Sequence, residues 1–431
     1  MAQLTDDCFA FSGPLLPLAE MERLIAERVT PVAEVEEVAL SEARRRVIAA
    51  DVMAAHDLPP FNNSAVDGYA VRHADLAPSA ETRLAIAQRV MAGETAAALP
   101  PGAASRIFTG APLPQGADTV FMQEDCRRDG DAVILPPGLA RGANSRLAGE
   151  DVPRGAVLLP AGRRLMAPDI ALAAALGLTR LAVRRRLRVA VFSTGDEVVE
   201  PGVFRPAAAV YDANRHLLRA LLEQFGAAVS DLGILRDTPA ELQDAIADAA
   251  AGHDLVVTSG GVSTGEADHV RNAIESIGRL VFWRVAIKPG RPVAMGVIRG
   301  RGGRGGRGWG PGTAAAFAGL PGNPAAVYVT FVRVVRPLLM RLAGAEPRAP
   351  LALPVRAGFA YRKRKGRREY IRVSLRRAAD GMVEAEKFPR DGAGVITSLT
   401  ETDGLVELGE EVTEIAPGAM VGFLSHAALT E

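Results

Sequence analysis

The chain has 431 residues, is 48% hydrophobic and 23% charged, and balances fifty basic residues with fifty acidic ones. The length predicts two to four globular domains, and zero net charge gives no ground for non-specific nucleic-acid binding. Two distant cysteines, Cys8 and Cys126, exclude a disulfide scaffold and suit a reducing cytoplasm; six scattered histidines speak against a His- or Cys-ligated metal and leave a carboxylate-held hard cation open.

The opening MAQLTDDCFAFSG lacks the basic region of a signal peptide. The best apolar run, IALAAALGL from Ile170, is too short to span a bilayer, so no membrane association is expected. Residues 18–29, LAEMERLIAERV, fit an amphipathic helix. From about Val32 to Val183, short runs such as VDGYAVRHAD and DTVFMQED alternate with Pro and Gly, which predicts several short, mostly antiparallel sheets.

At Leu187 the pattern changes. LRVAVF reads as a buried strand, and DANRHLLRALLEQFG as a helix with Asp212 or Asn214 as cap and Gly226 as stop. AAVSDLGIL is the next strand, and DTPAELQDAIADAA a helix opening on Pro239. The strand DLVV, a glycine-rich turn, the helix VRNAIESIG closed by Gly278, and the strand RLVFWRVAI follow. This alternation predicts a doubly wound, mainly parallel α/β sheet. The long helix AAVYVTFVRVVRPLLMRLAG ends near Gly344, and strand-like text continues to the C-terminus as a small β domain. Residues Arg299–Gly312, RGRGGRGGRGWGPG, resemble the RGG box of RNA-binding proteins. Because the chain as a whole has zero net charge and no aromatic stacking platform accompanies the segment, it reads instead as a flexible surface insertion between two strands.

Ligands of an open parallel sheet bind at the carboxyl ends of its strands, and five polar or glycine-rich turns fall there. They carry Ser193, Thr194, Asp196 and Glu197 in STGDEV; Asp237 in RDTP; TSGGVSTGEADH; Lys288 and Arg291 in KPGRP; and Pro321, Asn323 and Pro324 in PGNP. Gly260, Gly261 and Gly265 let backbone amides face an anion, aided by the following helix. Glu266 and Asp268 suit such a turn if a divalent cation lies between acid and phosphate, with Glu197 and Asp237 joining or orienting it. Asp268 and Asp237 also fit plain helix starts. Lys288 and Arg291 place two cations at one strand end, suited to an oxyanion. Asn323 and Pro324 also fit a structural N-cap and first helical position. In the N-terminal part, Asp67 before Gly68 and Thr109 before Gly110 fit either turns or a site.

Read together and in order, NNSAVDGYAV, IFTGAPLPQGADTV, GEDV, FSTGDEVVEPG, YDANRHLL, TSGGVSTGEADH, AIKPGRP and LPGNP resemble the molybdopterin molybdenumtransferase family, which comprises bacterial MoeA and the matching E domain of gephyrin. The resemblance covers essentially the whole chain. It implies molybdenum cofactor biosynthesis: adenylyl-molybdopterin and molybdate bind, molybdenum enters the dithiolene, and AMP leaves with the help of magnesium. The family's functional positions fall on Asp67, Thr109, Asp151, Glu197, Asp237, Asp268, Lys288, Pro321 and Pro324. The resemblance implies molybdate contacts from Ser263, Lys288 and Arg291, and further contacts from Arg368, Arg372 and Ser398.

It also implies an elongated homodimer with four domains per chain: a discontinuous one (1–49 and 145–183), an inserted β-rich one (50–144), the α/β domain (184–345) and a C-terminal β-barrel (346–431). A molybdopterin adenylyltransferase is an implied partner. Two features depart from the pattern: arginines at 284 and 291, where bacterial relatives commonly have lysine, and the Arg/Gly insertion. An adenylyltransferase acting one step earlier and a gephyrin-type scaffold are the rival readings. The former needs only the α/β domain, and the full acidic set counts against the latter.

Overall fold

Leu18, Met21, Leu24 and Ile25 form one apolar stripe on helix α1 (Leu18–Arg28), and all four are buried against the helix that closes the α/β region. The structure, a computed structural model, describes residues 15–32, 34–236, 238–260, 269–290, 292–301, 309–346 and 348–431.

After α1 the chain builds the short sheets predicted for its first part. Val35–Ala39 and Val47–Ile48 flank Arg180–Arg184 in an antiparallel three-stranded sheet, so segments far apart in sequence share one layer. Between them in sequence lies a six-stranded sheet in the order Thr119–Met122, Gly68–Val71, Ala103–Ile107, Thr82–Val90, Ala132–Leu135 and Arg127–Asp129. One pair in it, Thr82–Val90 with Ala103–Ile107, is parallel.

The α/β region has strands β1 (Arg188–Thr194), β2 (Ala228–Leu235), β3 (Leu255–Ser259), β4 (Gly278–Arg284), β5 (Ile287–Lys288), β6 (Pro292–Arg301) and β7 (Trp309–Leu320). Six of these form one sheet in the order β2-β1-β3-β7-β6-β4. β2, β1, β3 and β7 are parallel, whereas β6 runs against both its neighbours. β4 therefore points the same way as β7, and the strand ends named above share one edge. Alternate residues serve opposite faces: Val189 and Val191 join one core cluster, Ala190 and Phe192 the other. Burial on both faces explains the continuous apolar reading of β1.

The opposite edge is pinned by a buried acid. Asp254 takes both terminal nitrogens of Arg185 at 2.7 Å and the Arg188 amide at 2.8 Å.

Asp212 is the cap of helix α2 (Ala213–Gln224), accepting from the Arg215 amide. The helix predicted to be closed by Gly278 ends at Ile277, and Gly278 instead opens β4. Its lack of a side chain serves close packing, since a Cβ there would stand 2.2 Å from the Val297 carbonyl. The long helix is interrupted: Pro324–Thr330, a π-helical turn over Phe331–Val335, then Arg336–Leu342. Pro337 has no amide to donate to the preceding turn, which accounts for the widened stretch. The Arg/Gly insertion joins β6 to β7 at the end remote from the polar edge; residues 302–308 lie outside the described residues.

The C-terminal region closes on itself. Arg368–Arg377 (β8) pairs with Val383–Lys387 and with Gly404–Leu408, and Leu353–Ala357 and Met420–Ser425 complete the ring. β5 adds to this barrel rather than to the α/β sheet, pairing in parallel with β8 so that Lys288 stands beside Glu369. Among the described residues, no helix is long and apolar enough to cross a membrane.

Candidate active site

β1, β3 and β7 end side by side, and their turns are tied together there. Asn214, at the start of α2, leaves capping to Asp212 and donates its amide to Ser259 Oγ at 2.9 Å and to the Gly322 carbonyl at 2.7 Å. Ser259 Oγ in turn donates to the Pro321 carbonyl at 3.1 Å, and the Gly260 amide to Leu320 at 3.1 Å. Several buried polar atoms at this edge have no hydrogen-bond partner among the described residues: Ser193 Oγ, Thr194 Oγ1, Thr258 Oγ1 and Asn214 Oδ1. Buried polar groups are rarely left so, and their partners must come from a ligand or from residues outside the described ones, such as the adjoining turn 261–268. Glu197 stands exposed beside them.

The basic turn after β5 reaches the same edge. Gly290 has φ of +103°, and a Cβ would stand 2.2 Å from Thr330 Oγ1, so only glycine lets this turn lie against the long helix. The turn, the Pro321–Asn323 segment and the barrel enclose a cavity of about 470 Å³, within the range of small-molecule sites. Lys288, Arg372, Lys387 and Arg390 supply its cations, and Glu369 and Asp391 its acids. Lys387 is paired with Asp391 at 2.8 Å. Burial pushes the Arg372 guanidinium below its ordinary value, with Asp391 and Tyr361 offsetting in part. Its Nε donates to Ser398 Oγ at 3.1 Å and its Nη2 to the Gly392 carbonyl at 2.8 Å. A half-buried guanidinium with no carboxylate ion pair among the described residues is suited to an incoming oxyanion.

The structure thus brings Lys288, Pro321, Asn323 and Arg372 to one cavity, with Ser398 reaching it through Arg372. Asn323 precedes Pro324 at the helix start, yet its side chain makes no capping bond and lines the cavity instead. Arg368 does not line the cavity; it pairs with Glu407 at 3.2 Å and Glu410 at 3.0 Å. Asp67 and Thr109 meet each other on the six-stranded sheet, away from this cavity. Asp151 is exposed on a loop whose amide bonds Leu58. Asp237, Gly261, Ser263, Gly265, Glu266, Asp268 and Arg291 lie outside the described residues.

Sequence reasoning missed Tyr361, Glu369, Lys387 and Arg390. They sit on barrel strands and loops whose polar residues look like ordinary solvent-facing surface, and only ring closure against the basic turn gives them a common target. Among the described residues, no group of three His, Cys, Asp or Glu side chains is placed to hold a metal. Of the three carboxylates predicted to bind magnesium, Glu197, Asp237 and Asp268, only Glu197 is among the described residues.

A doubly wound sheet whose polar edge meets a cavity lined by four cations and two acids has the architecture of a small-ligand-binding α/β protein. Comparison narrows that class. Residues 16–177 match the MoeA N-terminal region (domains I and II), residues 190–341 the family described as "Probable molybdopterin binding domain", and residues 354–425 the MoeA C-terminal region (domain IV). The molybdopterin molybdenumtransferase of Haemophilus influenzae is 35% identical, over 94% of this chain and 98% of its own. That of a Nostoc species is 36% identical, over 89% and 87%. The crystal structure of the molybdopterin biosynthesis MoeA protein of Pyrococcus horikoshii superposes with a TM-score of 0.76 at 26% identity, covering 96% of this chain and all of that one. The chain belongs to the molybdopterin molybdenumtransferase (MoeA) family.

Proposed function

We propose that the chain transfers molybdenum from molybdate into adenylyl-molybdopterin, releasing AMP, with magnesium assisting. The observation that carries this reading is the meeting of Lys288 and Arg372 in one 470 Å³ cavity between the α/β edge and the barrel. A tetrahedral dianion is small and depends on few charge-assisted contacts, which two converging cations supply. Ser263 and Arg291 belong to the same proposed molybdate set. Gly260, Gly261 and Gly265 cradle the pyrophosphate, and Pro321, Asn323 and Pro324 shape the adjoining wall. Asp151 and Arg368 are proposed substrate contacts as well. Glu197, Asp237 and Asp268 are the proposed magnesium ligands; bound there, the ion would neutralise pyrophosphate charge.

Asp67 and Thr109 are assigned to the cleft of a second copy. The reading therefore includes a homodimer, a cytoplasmic location, and a molybdopterin adenylyltransferase as the source of substrate. The test is incubation of purified protein with adenylyl-molybdopterin, magnesium and molybdate. AMP release that depends on molybdate is the expected result. Consumption of ATP with free molybdopterin would instead identify an adenylyltransferase, and no turnover in either assay a scaffold.

A further inference from the structure

Glu369 is 1% exposed, yet it belongs to the cavity wall. Its two oxygens are used by different groups. Oε1 accepts from Arg367 Nε at 2.7 Å. Oε2 accepts from the Tyr361 hydroxyl at 2.8 Å and from the Lys288 ammonium at 3.3 Å. Lys288 Nζ also lies 3.4 Å from the Tyr361 hydroxyl oxygen, and its side chain remains 50% exposed. An ammonium has three N–H donors, so one remains for a ligand in the cavity.

An acid beside an oxyanion site would ordinarily repel the ligand. Here both oxygens are turned to donors: Oε1 to Arg367, which does not line the cavity, and Oε2 to the Tyr361 hydroxyl and the Lys288 ammonium, which do. Burial alone would raise the Glu369 carboxyl, but Tyr361, Arg367 and Lys288 more than offset this and hold it below the usual range. Burial and then Glu369 push the Tyr361 phenol up, so it stays a neutral donor. The chain uses lysine at only four positions, 288, 363, 365 and 387, against forty-six arginines, and two of the four line this cavity. A lysine side chain is a flexible point charge that loses rotamer freedom on binding; a partner that holds it beforehand reduces that loss.

We propose that Glu369 is the positioning residue of the cavity, holding the Lys288 ammonium and the Tyr361 hydroxyl in place so that the incoming oxyanion meets a fixed cation. The identity of the anion rests on the molybdate reading above; the geometry does not.

A double-mutant cycle tests this. Molybdate affinity is measured by calorimetry for wild type, Glu369→Gln, Lys288→Met and the double variant. Glu369→Gln should weaken binding about tenfold in the wild-type background and have no further effect once Lys288 is gone, as residues acting through one contact are non-additive. Equal losses in both backgrounds would show that Glu369 serves only the fold, and the proposal would fall.

A second measurement stands apart from molybdate. The rate of Lys288 acylation is followed by mass spectrometry against exposed Lys365 as reference. Glu369→Gln should speed labelling of Lys288 severalfold and leave Lys365 unchanged. Glu369→Asp, which keeps the charge but withdraws it by one methylene, should act the same way if the glutamine variant folds poorly. Unchanged Lys288 labelling in a folded variant overturns the proposal. Failure of wild type to bind molybdate, with labelling as expected, refutes the molybdate reading and leaves the positioning role standing.

Discussion

Thr109 donates both its backbone amide and its hydroxyl to Oδ1 of Asp67, each at 2.8 Å. The amide bond first, then the hydroxyl bond, hold the Asp67 carboxyl below the usual carboxylate range, with burial opposing and Arg106 adding slightly. Two residues far apart in sequence thus present one fixed negative charge at the rim of the six-stranded sheet. That sheet is separate from the one whose edge forms the cavity.

A fixed acid with no role in its own chain's cavity predicts a shared cleft. Homodimers of Asp67→Ala and of Asp268→Ala should each be nearly inactive. Mixed and allowed to exchange, half the dimers become heterodimers with one intact cleft and one doubly damaged cleft, so about a quarter of wild-type AMP release should return. No recovery, with exchange confirmed by mass spectrometry, places Asp67 within its own chain.

The cation pair predicts selectivity among ligands. Replacing Lys288 and Arg372 together by Ala should weaken molybdate binding far more than nucleotide binding, because the dianion has few other contacts. Calorimetry with each ligand alone checks this, and an unchanged molybdate affinity would remove both residues from the site.

Glu197 and Asp268 predict a metal dependence. Either carboxylate changed to its amide should slow AMP release by at least about a hundredfold, a few kcal/mol of barrier, and the deficit at Glu197 should shrink as magnesium is raised. Near-normal release by a folded Asp268→Asn variant would return that residue to a helix-start role.

Asp254 predicts a stability effect on the side of the sheet away from the chemistry. Its side chain is fully buried; burial would raise its carboxyl, but Arg185 and the Arg188 amide hold it below the ordinary value. Its contribution is therefore complete above the unfolded value of about 3.9 and is lost as pH falls through the folded one. Asp254→Asn should cost about 3–5 kcal/mol in urea unfolding at neutral pH. It should also flatten the decline in stability below about pH 4.

Much of the α/β region could be read from its sequence, because a sheet buried on both faces writes itself as unbroken apolar runs such as Arg188–Thr194, and its helices begin at Asp212 and Pro239. The strand ends, with Lys288, Asn323 and Gly260, followed from that topology. The barrel's share did not. Glu369 opens a run of three buried residues on β8, yet in sequence it stands in the charged stretch RKRKGRRE, and its partner Lys288 lies 81 residues away. Nor could the sequence say that Gly278 serves close packing rather than a helix stop, since that depends on the carbonyl of Val297 across the sheet.

The strand β5 has a consequence for how such chains exchange parts. Ile287 and Lys288 lie between two strands of the α/β sheet in sequence, but their hydrogen-bonded neighbour is β8 of the barrel. A chimaera joined at the end of the long helix, taking its barrel from a relative, would inherit Lys288 from one parent and the residue facing it at 369 from the other. Such hybrids should fold more readily than they work, and function should return when the segment around 287–290 travels with the barrel. The heritable unit of this chemistry is a pair of distant segments, and recombination that respects only domain ends will separate them.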